Sequence, residues 1–125
     1  MKFKINFDNM SEYVLIRTEG EASARDFDVL LTTLVDSPKW ITGTDLIVDH
    51  RKLVMGNVTS NDVKILESVV KMHSKKLGNG RCAFVVKGDF EFGMVRMYEL
   101  IGGGKIHIKV GIFHSINEAV EWLKQ

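Results

Sequence analysis

The run Asp45-Leu46-Ile47-Val48-Asp49 constrains this chain more than any other stretch. Consecutive apolar residues, Ile47 and Val48 β-branched, stand between acidic ends. That is the pattern of a short strand buried on both faces, in the middle of a sheet covered by helices. Such a strand needs neighbours beside it and helices above and below, which the rest of the chain has to supply.

The flanking residues do so in order. Phe3, Ile5 and Phe7 alternate with polar residues, and Tyr13–Thr18 forms a second apolar run centred on Val14, Leu15 and Ile16. The turn-like Asp8–Glu12 between them predicts an N-terminal β-hairpin. Ser23 and Asp26 cap a helix over Ala24–Val35, with Phe27, Leu30, Leu31 and Leu34 at helical spacing and Pro38 at its exit. After the central strand, His50–Thr59 reads as a loop. Thr59-Ser60-Asn61-Asp62 then opens a second helix, whose stripe is Val63, Leu66, Val70, His73 and Leu77. Lys75, Lys76 and Gly78 close it.

Cys82–Val86 is another apolar strand, and Gly88-Asp89 turns into a third helix carrying Phe90, Met94, Met97 and Ile101, stopped at Gly102–Gly104. Ile106, Ile108, Val110 and Ile112 alternate as a last strand, and the Ser115–Glu118 capping box starts a fourth helix with Ala119, Val120, Trp122 and Leu123. The order β-β-α-β-α-β-α-β-α predicts an α/β fold: a mixed, mainly parallel sheet of about five strands, with an N-terminal β-hairpin and four helices.

With 125 residues, 45% of them hydrophobic, the whole span 1–125 is expected to be one domain. Lys and Arg number 17 against 16 Asp and Glu, so no net field draws the chain to nucleic acid. The single cysteine, Cys82, excludes an internal disulfide framework and a multi-cysteine metal site, and is expected to be an inert buried thiol. The N-terminus has no apolar signal core and no run reaches the ~18 residues of a transmembrane segment, which predicts a cytoplasmic protein. His50, His73, His107 and His114 have no metal-ligand spacing, so neither a metal nor a cofactor is expected. His73, on the apolar stripe, is expected to be packed and hydrogen-bonded.

In a parallel sheet, the loops leaving the carboxyl ends of the strands gather on one edge, and ligands bind there. Those loops are His50–Thr59, Lys87–Asp89 and Phe113–Ser115. Arg51 and Lys87 flank the helix amino ends, an anion-binding arrangement unless water and the caps satisfy the free N–H groups. Phe90, Phe92, Met94 and Met55 could supply an apolar wall, since thioethers and rings line adaptable pockets. A stripe at helical spacing is more often core than pocket, Met94 and Met97 above all, which leaves Phe92 as the better pocket residue. His50 and His114 are expected on the same edge, within reach of a proton-transfer role. Asp49 reads either as a functional acid or as a carboxylate paired with its basic neighbours.

Leu46-Ile47-Val48-Asp49-His50-Arg51, Phe92-Gly93-Met94-Val95-Arg96, Ile112-Phe113 and the terminal Trp122-Leu123 resemble the SpoIIAA-like family over nearly the whole length. Those small bacterial proteins look like STAS domains and like CRAL/TRIO lipid-binding folds. The resemblance implies a non-enzymatic binding or regulatory domain, with no catalytic residues. Its ligand would be a small amphipathic or lipid-like molecule at the carboxyl edge, touching Arg51, Met55, Lys87, Phe90, Phe92, Met94 and His114. The alternative it implies is a STAS-type regulator with a protein partner. STAS antagonists carry a switch serine in Asp-Ser-x-Gly; here Val58-Thr59-Ser60-Asn61-Asp62 lacks that Asp and Gly, leaving Ser60 or Thr59 as phosphosite or as a helix cap. A free hairpin edge would allow a homodimer.

Overall fold

A computed structural model describes residues 1–89, 91–93, 96 and 108–125 of the chain. Strands β1 (Lys2–Asn6), β2 (Val14–Glu21), β3 (Leu46–Val54), β4 (Arg81–Val85) and β5 (Lys109–Phe113) form one five-stranded sheet, ordered β1-β2-β3-β4-β5. β1 and β2 are antiparallel, and the remaining pairs run parallel. Helices α1 (Ala24–Val35) and α2 (Ser60–Leu77) connect the strands, and a C-terminal helix (Ile116–Leu123) follows β5. A fourth helical segment includes Glu91, Phe92 and Gly93. The mixed sheet with an opening hairpin is the predicted architecture, and Leu46–Val48 lies in its central strand.

Successive parallel neighbours joined by right-handed crossovers put their helices on one face. α1 and α2 pack against each other there. Strand alternation sends Val14, Ile16, Leu46, Val48 and Cys82 to that face, where they meet Leu30, Leu34 and Leu77. Ile47, Ala83 and Val85 point the other way, onto Ala119 of the C-terminal helix. Helices on both faces of β3 are the reason that Leu46-Ile47-Val48 has no polar member.

Local chemistry places the helix ends. Ser23 Oγ accepts the Asp26 N–H at 3.4 Å, and Ser115 Oγ accepts the Glu118 N–H at 3.1 Å. At α2 the capping box is reciprocal: Thr59 Oγ1 accepts the Asp62 N–H at 3.1 Å, while the Asp62 carboxylate accepts the Thr59 N–H at 2.8 Å. At its other end Gly78 has φ +82°, and a Cβ there would come within 2.6 Å of the Gly43 nitrogen, so glycine is required twice over. Trp40 Nε1–H donates to the Lys76 carbonyl at 2.8 Å, tying the loop after α1 to the carboxyl end of α2.

The structure departs from expectation along β3. The predicted loop beginning at His50 starts after Val54 instead. Arg17 pairs with Asp49 and Glu19 with Lys52, so β3 holds one more residue than β2 over this stretch, a β-bulge. The bulge breaks the two-residue period, which makes His50-Arg51-Lys52 read as irregular in sequence. Pairing resumes through Gly20 with Leu53 and Glu21 with Val54, which also carries β2 beyond its predicted end at Thr18. Phe90, Met94, Met97, Ile101, Gly102–Gly104, Ile106 and His107 lie outside the described residues. Among the described residues, no helix is long and apolar enough to cross a membrane.

Candidate functional site

Beside the bulge stands the least ordinary side chain in the fold. His50 follows Leu46 and Val48 at core parity and is 2% exposed. Its ring stacks on Phe84 at 5.3 Å between centroids and meets Phe27 edge-on at 5.6 Å. Thr18, also buried, places Oγ1 2.6 Å from His50 Nδ1 and 3.2 Å from the Asp49 carbonyl oxygen. A carbonyl only accepts, so the single Thr18 proton goes to Asp49. The hydroxyl oxygen then accepts from His50, which assigns the imidazole proton to Nδ1. Desolvation pulls the His50 pKa down to about 4, against the opposing charge of Asp49, so the ring is neutral at pH 7.

His50 lines a cavity of about 150 Å³ between the helix-covered face of the sheet and α1 and α2. The lining runs from Leu46 and Cys82 at the amino ends of β3 and β4 to Met55 and Val58, past the carboxyl end of β3. Phe27 and Leu30 of α1 and Val63, Leu66 and Val70 of α2 form its roof. Apart from His50 and the Cys82 thiol, every described lining side chain is hydrocarbon or thioether. Burial pushes the Cys82 thiol up to about 12, so it stays protonated and unreactive.

Asp49 and Arg51 occupy the other face. Arg51 Nε and Nη2 each donate to the Asp49 carboxylate at 2.9 Å, and Arg17 Nε stands 3.6 Å away. Desolvation raises the Asp49 pKa, but the Arg51 hydrogen bonds and both guanidinium charges together outweigh it and hold the carboxyl below its usual value. With Lys2, Lys4, Glu19 and Lys52 these residues line a shallow charged basin on the part of the sheet that the C-terminal helix leaves open. Asp49 and His50 therefore cannot act as a dyad.

The residues expected to form one site are divided between these places. Met55 is buried and lines the cavity. Phe92 packs on the Leu53, Met55 and Val86 cluster and stacks on His114 at 5.7 Å, and His114 Nδ1 donates to the Val86 carbonyl at 3.3 Å. Lys87 is exposed just past β4. Arg51 is held in the basin by Asp49, on the opposite face from Met55. Phe90 and Met94 are outside the described residues. Ser60 and Thr59 are both exposed at the start of α2, where Thr59 is the cap. His73 Nε2 lies 2.9 Å from Asp28 Oδ1, bridging α2 to α1.

Thr18 had no place in the reading of the sequence. Its signal was there: Val14, Ile16 and Thr18 share one face of β2, and a hydroxyl at core parity requires a partner.

Neither a family model nor a curated protein sequence matches the chain. Among solved structures it is similar to an uncharacterized protein of the DUF3478 family with a SpoIIAA-like fold, from Shewanella loihica PV-4. The identity is 14%, the match covers 98% of this chain and 92% of that one, and the TM-score is 0.62. The chain has a SpoIIAA-like fold.

Proposed function

We propose that the chain is a non-enzymatic binding domain for a small amphipathic ligand, whose apolar part sits between the sheet and helices α1 and α2. The observation that carries this reading is the hydrocarbon-lined cavity extending to Met55 at the carboxyl edge of β3. Ligand sites in α/β folds gather at that edge, and apolar concavities with few polar groups are the usual form of such sites. Phe92, His114 and Lys87 would border the ligand from the β4 and β5 side. Native mass spectrometry and thermal-shift assays against short-chain alcohols, phenols and fatty acids test the proposal. A retained ligand with a raised Tm supports it, and the absence of both across the panel contradicts it.

A regulatory role through a protein partner is the second reading. Ile65 and Met72, one heptad apart on α2, are exposed large apolar residues, and Ser60 at the start of the same helix is exposed. A phosphate on Ser60 would sit at the positive end of the helix dipole. Pull-downs with Ser60→Asp and Ser60→Ala decide it: different partners support a switch, and identical partners remove it.

A further inference from the structure

We infer that the cavity selects a compact, ring-sized molecule carrying one hydroxyl donor, a phenol in chemical class, whose O–H bonds to His50 Nε2. The inference rests on the proposed binding function and names the ligand's class and its seat. Two independent observations meet at this point.

The first is size. A cavity of about 150 Å³ is well below the ~300–1,000 Å³ of pockets that enclose drug-sized ligands. Cavities of about this volume lined by Leu, Ile and Phe stay dry and admit a benzene-sized molecule. A single six-membered ring matches that volume.

The second is polarity. Thr18 occupies His50 Nδ1, Phe84 stacks on one ring face, and Phe27 meets the imidazole in a T-shaped contact. His50 lines the cavity, and its Nε2 makes no hydrogen bond among the described residues. An acceptor on the wall of an otherwise apolar cavity gains a hydrogen bond when a donor enters beside it. With Nδ1 protonated, Nε2 accepts and cannot donate, so a hydroxyl is recognised where an ether or methyl group is not. Thr18 thus acts as a specificity-setting residue: its bond to the Asp49 carbonyl fixes the tautomer that makes Nε2 an acceptor.

Isothermal titration of the full chain with phenol, anisole and toluene tests this directly, because the three share a ring and differ in what they offer Nε2. The expected result is that phenol binds about five- to tenfold more tightly than anisole or toluene, the worth of one buried neutral hydrogen bond. In His50→Phe that preference is lost or reversed. If His50→Phe does not fold, Thr18→Val supplies the second arm: the imidazole proton is free to move to Nε2, and the preference shifts from phenol towards anisole. Equal or tighter binding of toluene and anisole by the unmodified chain overturns the inference while leaving the binding function intact. Binding of none of the three overturns it too, and the broader ligand panel then decides separately whether the domain binds anything.

Discussion

Asp49 and His50 are consecutive in β3 and serve opposite faces of the sheet. The carboxylate is clamped at 2.9 Å by two Arg51 nitrogens on the open face, while the imidazole is buried 2.6 Å from the Thr18 hydroxyl on the helix-covered face. One peptide unit thus separates a charged pair from a neutral acceptor.

The buried ring makes stability depend on pH. An unfolded histidine takes up a proton near pH 6.5, but His50 in the folded chain does so only near 4. Above pH 6.5 both states are neutral and nothing is lost. Between 6.5 and 4 the unfolded state binds the extra proton, so stability falls with acidification, by about 3 kcal/mol over the window. Chemical denaturation from pH 7.5 to 4.5 checks this: His50→Gln flattens the loss relative to the unmodified chain, and parallel curves would contradict it.

Removing the Arg51 clamp has the opposite pH signature. In Arg51→Gln the Asp49 carboxyl loses its bidentate donor, retains Arg17 at 3.6 Å, and its pKa rises. The destabilisation at pH 7 is expected to be about 1 kcal/mol, modest because the Arg51 side chain is partly exposed. The depressed carboxyl pKa contributes stability above about pH 4 and none once the group is protonated, so the difference between the two proteins shrinks on acidification. Carboxyl-detected NMR titration of Asp49 follows the shift.

Thr59 and Ser60 separate by role. Thr59→Ala breaks the reciprocal bonds with Asp62 and is expected to cost about 1 kcal/mol, whereas Ser60→Ala stays within about 0.5 kcal/mol. Urea denaturation of both variants measures the difference.

Much of this architecture was readable from patterns that one element carries by itself. The capping residues Ser23, Thr59 and Ser115 mark helix starts because their side chains answer orphan N–H groups a few residues away. Leu46-Ile47-Val48 marks the central strand because covering both faces demands apolar residues at both parities. The site was less legible, since it depends on a relation between strands. Nothing local to His50 announces that β2 and β3 differ by a residue at Arg17 and Asp49, and without that bulge His50-Arg51-Lys52 looks like a polar loop. Of the two roles the sequence offers Arg51, ligand contact or partner of Asp49, the second holds because both side chains lie on one face of a strand.

Long-range ¹⁵N–¹H correlation NMR of the histidine rings reads the state of the His50 imidazole most directly. The predicted spectrum has the His50 proton on Nδ1 and a bare Nε2 at pH 7, with no titration until the pH approaches 4. A His50 ring that carries its proton on Nε2, or that titrates near 6.5 like an exposed histidine, would contradict it.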